Sequence, residues 1–120
     1  MRRTFLAALL GLALAACATD DQAMPTRYEG TWAFHFETSS FVADGGGDPA
    51  WLVAEGDVWR QLTAPLAVAG GPWGSAHIVV EGALSPPGHY GHLGAYTREL
   101  RVTRVIETRL ISAWNQPSNN

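Results

Sequence analysis

The stretch Thr31-Trp-Ala-Phe-His-Phe-Glu37 decides the fold class, because its apolar and polar side chains alternate with a period of two. Trp32, Phe34 and Phe36 fall on one face of an extended chain, and the residues between them fall on the other. This alternation predicts a half-buried β-strand and not a helix. Phe41 stands five residues after Phe36 and breaks the alternation, so we expect a bulge or bend near residues 38–40 if Phe41 is also buried.

The segments that follow, up to Pro65, continue the β pattern with one open choice. Residues 45–49, Gly-Gly-Gly-Asp-Pro, predict a loop, and residues 51–54 predict a short strand. Residues 58–62 fit a short helix capped by Asp57 and limited by Pro65, and they fit a strand equally well.

The second half of the chain predicts two longer strands. Residues 70–74 are rich in Gly and Pro and predict a turn. A strand is predicted at residues 77–84, with Ile78, Val80 and Leu84 facing inward. Gly82 lies on the same face and allows a close backbone approach. A loop is predicted at residues 85–94, and a strand at residues 96–112 with a change of phase near Arg104. Four or five strands without disulfides fit one small closed or partly open barrel, and an OB-like five-stranded barrel is our first choice.

One run resembles a known class of domain. Residues 80–105 look like the closing half of small OB-like domains on bacterial envelope lipoproteins, through the element Gly91-His-Leu-Gly94-Ala-Tyr96 and the basic and apolar strand after it. The early Gly30-Thr-Trp32 strand is similar as well. The resemblance implies a fold and a location, and it implies no activity.

The N-terminal segment predicts export. Arg2 and Arg3 precede an apolar stretch that ends in small residues, which is typical of a signal peptide at residues 1–16. The sequence Leu14-Ala-Ala-Cys17 resembles the bacterial lipoprotein box at all four positions. The resemblance implies cleavage before Cys17 and acylation, with palmitate-type chains, of the only cysteine. Ala18 after the cysteine favours the outer membrane, with the domain facing the periplasm.

The domain organisation follows from these assignments. We expect a signal peptide at residues 1–16, a flexible lipidated tether at 17–27, the β-barrel at 28–114 and a frayed tail at 115–120. A coincidental cysteine after an ordinary signal peptide is the alternative to lipidation. A lone free thiol would be a liability in an oxidising compartment, which favours lipidation.

Composition excludes several classes of function. After the leader, 6 of the 8 Arg residues remain against all 11 acidic residues, and the chain has no Lys, so the net charge falls from −3 to −5. A nucleic-acid-binding domain would need a basic surface, so no nucleic-acid partner is expected. We also expect no enzyme activity, because a Ser-His-acid set can only be assembled from scattered residues and no nucleophile motif is present.

Two groups of side chains remain as candidate sites. Trp73 lies in a turn cluster, and with Tyr90, His92 and Tyr96 it could form an aromatic rim that binds a glycan, a peptide or an envelope protein. His89 and His92 are the only closely spaced histidine pair and give the alternative of a zinc or copper site, although a structural site requires four ligands. Trp32 and Trp51 are expected in the core.

These observations predict a non-catalytic accessory lipoprotein, held on the membrane by Cys17, that presents a small β domain for binding a ligand or partner. No cofactor is expected. The metal-binding lipoprotein is the second hypothesis, and a small hydrolase of an envelope polymer is the third.

Overall fold

The computed structural model describes residues 25–114, which form five strands, one α-helix and a single 3₁₀ turn. The predicted signal peptide, Cys17, most of the tether and the tail lie outside these residues. The strands and the helix are β1 Thr26–His35, β2 Thr38–Ala43, β3 Ala50–Val53, α1 Gly56–Val68, β4 Trp73–Leu84 and β5 Glu99–Trp114, and the 3₁₀ turn is His92–Gly94. β1 therefore begins two residues before the predicted start of the domain.

The strands close into a barrel in the order β1-β2-β3-β5-β4, with β4 returning to β1. β3 and β5 are parallel, and every other neighbouring pair is antiparallel. α1 follows β3 and closes one end of the barrel. This arrangement confirms the predicted small all-β, OB-like barrel with one short helix. Among residues 25–114, no helix is long and apolar enough to cross a membrane.

A tight turn separates the first two strands, where the sequence predicted a bulge or bend within a single strand. His35 pairs with Thr38, so Phe36 and Glu37 alone form the β1–β2 turn. The reversal places Phe41 inside the barrel, which was the condition for the expected bend. It leaves Phe36 68% exposed, so the inward assignment of Phe36 was wrong. Glu37 has φ of 58°, a left-handed conformation that non-glycine residues seldom adopt.

The ambiguous segment is a helix. Glu55 is the N-cap residue and makes no side-chain capping hydrogen bond, so Asp57 lies in the first turn and is not the cap. Pro65 lies inside the helix, which continues to Val68 and was not limited as predicted. Leu62 and Leu66 face the barrel from one side of α1 and are fully buried.

β4 and β5 form the longest ladder, and β5 carries the irregularities. β4 begins at Trp73, inside the predicted turn cluster. Three register shifts interrupt the ladder, and two of them fall on either side of Arg104, which confirms the change of phase there. Ile78 and Val80 are buried as predicted, whereas Leu84 is 41% exposed and does not face the core.

The core lies inside the barrel and under α1. Trp32 is its largest fully buried side chain, as predicted. Trp51 is only half-buried because β3 alternates, so that Ala50 and Leu52 point inward and Trp51 points outward. The other large, fully buried side chains are Leu52, Leu62, Leu66, Ile78, Val80 and Leu100.

Candidate functional site

A cleft opens where β2 and β3 separate. The two strands pair only at Ser40 with Trp51 and at Phe41 with Ala50. β2 begins two residues before this ladder and β3 continues two residues beyond it, so the unpaired ends diverge. The space between them is a cleft of about 470 Å³, and we call it the β2–β3 cleft. Its volume lies within the range of small-molecule sites, about 300–1,000 Å³.

The lining of the β2–β3 cleft is mostly apolar. Three aromatic side chains contribute to it from three different elements: Phe34 from β1, Trp51 from β3 and Trp59 from α1. The remaining lining residues are His35, Glu37, Thr38, Ser39, Leu52, Val53, Ala54 and Gly56.

A buried serine holds the two diverging strands together. Ser39 is 4% exposed, and its hydroxyl accepts a hydrogen bond from Trp32 Nε1 at 3.0 Å. The same hydroxyl donates to the carbonyl oxygen of Leu52 at 2.7 Å. The Ser39 side chain therefore links β1, β2 and β3 at the place where the backbone ladder ends. Both contacts are buried, so they fix the floor of the cleft.

Aromatic contacts fix the wall formed by α1. The Phe34 ring stacks on Trp32 with centroids 5.3 Å apart, and it meets Trp59 edge to face at 5.1 Å. Trp32 and Trp59 also pack edge to face, with centroids 5.7 Å apart. Such pairs contribute roughly 0.5–1.5 kcal/mol each beyond their buried area. Trp59 is therefore held against the barrel before any ligand binds.

The long loop at residues 85–98, the β4–β5 loop, packs on the outer wall of the cleft. The ring of Tyr96 meets that of Trp51 at a centroid distance of 5.2 Å. Gly91 lies so close to the Trp51 indole that a Cβ there would overlap the ring, and its φ of 71° also favours glycine. The loop thus supports one side of Trp51 while the same residue lines the cleft.

The β4–β5 loop also reaches the β1–β2 turn. His92 Nε2 lies 3.1 Å from Glu37 Oε2, and both side chains are partly exposed. Glu37 and Leu93 have the same φ of 58°, and they are the two non-glycine residues with positive φ among residues 25–114. Backbone strain of this kind is often found at functional sites. Here Glu37 lines the cleft, and Leu93 follows His92, which contacts Glu37.

The structure brings together some of the predicted binding residues. Tyr90 and Tyr96 form a backbone bridge across the β4–β5 loop, and His92 lies in the tip between them. Tyr96 and His92 contact cleft residues, whereas the Tyr90 hydroxyl donates to the carbonyl of Pro86. Trp73 lies on another element, at the start of β4 in register with Trp114 of β5.

Sequence reasoning missed the cleft itself. It expected Trp51 in the core, and it gave Phe34 only a place on the buried face of the first strand. The alternation around Leu52 could have placed Trp51 on the outer face of β3. No local signal shows that β2 and β3 diverge, because that depends on the closure of the barrel.

The predicted histidine pair has a different environment from the one a metal site requires. His92 faces Glu37, and Cβ of His89 lies beside Gly94 within the loop. Within residues 25–114, no three His, Cys, Asp or Glu side chains are grouped so that they could hold a metal ion. Metal binding by His89 and His92 stays a prediction.

The cleft is thus a mostly apolar space with walls that are fixed by packing and with the Glu37 carboxylate in its lining. Its buried hydroxyl is already engaged as both donor and acceptor, which favours a structural role for Ser39. No protein-family model, no curated protein and no solved structure matches the chain.

Proposed function

We propose that the chain is a non-catalytic, lipid-anchored accessory protein of the Gram-negative envelope, and that its barrel binds a small ligand in the β2–β3 cleft. The cleft carries this proposal: it has the volume of a ligand site, and three aromatic side chains line it. Its walls are fixed by the buried Ser39 contacts and the aromatic cluster. A preformed site loses little conformational entropy when a ligand binds.

The lipoprotein box at residues 14–17 supports the location. Several acyl chains on Cys17 would give a stable anchor, because each buried methylene contributes about 0.8 kcal/mol. Ala18 favours the outer membrane, with the barrel on the periplasmic side. The short segment between Cys17 and β1 would keep the cleft close to the membrane, where it could meet envelope components.

Replacing Cys17 with Ser tests the anchor. We expect the full chain to move almost completely from the membrane fraction to the soluble fraction, because the serine hydroxyl does not accept the lipid. The measurement is fractionation of cells that express the chain, combined with labelling by a palmitate analogue. Ala16→Ser is the matched control, since serine is a small residue that the lipoprotein signal tolerates. Unchanged membrane retention of the Cys17→Ser variant would show that the anchor lies elsewhere.

Trp51→Leu tests the binding role of the cleft. The full chain, in a non-ionic detergent, is titrated with four probes: choline, 3,3-dimethylbutan-1-ol, N-acetylglucosamine and acetate. We expect at least one probe to change the tryptophan fluorescence and to raise the melting temperature. Trp51→Leu is expected to weaken that binding about tenfold, because an aromatic wall is lost.

Tyr28→Leu is the control for this experiment, because Tyr28 is a partly buried aromatic residue outside the cleft lining. It lies near the start of β1, whereas the lining residues Phe34 and His35 lie at the end of that strand. It should leave the affinity unchanged. If no probe of any class binds, or if the Trp51→Leu and Tyr28→Leu variants bind equally well, the cleft is not the ligand site and the proposed function fails.

A further inference from the structure

We infer that the β2–β3 cleft binds a quaternary ammonium ion, with Glu37 as its counter-charge; this inference rests on the proposed binding function of the same cleft. Three features of the lining point to this ligand class. They are the aromatic side chains, the negative charge of Glu37 and the small number of side chains that are free to form hydrogen bonds.

The aromatic side chains supply the first feature. Phe34, Trp51 and Trp59 line the cleft from three elements, so a bound group meets rings from more than one direction. A cation is attracted to the face of an aromatic ring, and tryptophan gives the strongest interaction of this kind. Two of the three rings are tryptophans. Their positions are fixed by packing with Tyr96 on one side and with Trp32 on the other.

Charge supplies the second feature. The titratable groups in the lining are His35 and Glu37, and no arginine side chain contributes to it. Glu37 Oε2 faces His92, which leaves Oε1 available to a ligand. Among the arginines of the adjoining elements, Arg60 and Arg101 are paired with Asp57 and Glu55. The Arg98 guanidinium donates to the carbonyl oxygen of Ser85 at the base of the β4–β5 loop. An anionic ligand would find only His35, which is charged only when protonated, whereas a cation would find the carboxylate of Glu37.

The third feature is the scarcity of free hydrogen-bonding side chains. Ser39 already donates and accepts, so the hydrogen-bonding side chains left in the lining are those of Thr38, Glu37 and His35 and the indole N–H groups of Trp51 and Trp59. A sugar ring carries several hydroxyl groups and a primary ammonium carries three donors, and leaving these unpaired in an apolar cleft is costly. A fully alkylated ammonium has no donor to satisfy. It is the cation that this lining suits best.

The test compares choline with 3,3-dimethylbutan-1-ol, which has the same shape with a carbon atom in place of the charged nitrogen. Both are titrated by calorimetry into the full chain in a non-ionic detergent at low ionic strength. We expect choline to bind at least about fivefold more tightly than the neutral alcohol. Ethanolamine, a primary ammonium of similar length, and N-acetylglucosamine should bind more weakly than choline.

Glu37→Gln tests the contribution of the negative charge, because glutamine has nearly the same size and shape as glutamate. It should lower the affinity for choline about three- to tenfold and leave the affinity for the neutral alcohol unchanged. Glu107→Gln, at an exposed position outside the cleft lining, should change neither. Because Glu37 is partly exposed, its replacement should not unfold the domain, and the melting temperature checks this.

Two results would overturn the inference and leave the proposed function standing. One is equal binding of choline and the neutral alcohol, which would identify a purely apolar site. The other is preferential binding of N-acetylglucosamine, which would identify a glycan site. Absence of binding by all the probes would overturn both proposals together.

Discussion

Replacing Trp32 with Ala is expected to lower the free energy of unfolding by about 3–5 kcal/mol. The indole is fully buried, stacks on Phe34 and meets Trp59, and its N–H donates to Ser39. The substitution removes all of these contacts and leaves a cavity under α1. Small domains are stable by only about 5–15 kcal/mol, so a large share of the stability would be lost. Urea unfolding followed by circular dichroism measures the change.

Two further variants show how much the hydrogen bond and the burial of Trp32 contribute to the free energy of unfolding. Trp32→Phe keeps an aromatic ring but removes the donor to Ser39, so we expect a smaller loss of about 1–3 kcal/mol. Trp114→Ala removes a partly exposed tryptophan and should cost less than about 1 kcal/mol. If Trp114→Ala destabilised the domain as much as Trp32→Ala does, then Trp32 would not be the centre of the core.

The fold could be predicted from the sequence to the extent that local patterns determine it. The alternation at residues 31–34 placed Trp32 and Phe34 inside, and the close approach at Gly82 and the change of phase near Arg104 were also confirmed. The β1–β2 turn was missed because Phe36 and Glu37 are not typical turn residues, and the apolar alternation runs straight through them.

The candidate site could be predicted only in part, because contacts between distant segments create it. The β4–β5 loop was expected to carry binding residues, and Tyr96 and His92 do contact cleft residues. Their partners, Trp51 and Glu37, lie 45 and 55 residues earlier in the chain. Local periodicity contains no information on which loop will meet which turn. The closure of the barrel and the bulges of β5 determine that.

Gly82→Ala is the second substitution with a large expected effect on stability. A Cβ at this position would overlap the carbonyl oxygen of Arg101 on the neighbouring strand. Because the obstacle is backbone, β4 and β5 must move apart to accept the methyl group. We expect a loss of about 1–3 kcal/mol, which is the usual cost of overpacking, measured by urea unfolding.

Gly45→Ala is the matched control, since a Cβ there would meet no atom within 4 Å. It should leave the stability within about 0.5 kcal/mol of the original chain.

The same pair of variants also tests how the loop supports the cleft. Gly82 lies shortly before the β4–β5 loop. Two hydrogen bonds of 2.8 Å hold the base of this loop: the Ser85 N–H donates to the carbonyl of Glu99, and the Arg98 side chain donates to the carbonyl of Ser85. Separating β4 from β5 should disturb this base and with it the contact of Tyr96 with Trp51, so Gly82→Ala should also weaken probe binding. A variant that loses stability but binds the probes as before would show that the cleft keeps its shape without the loop.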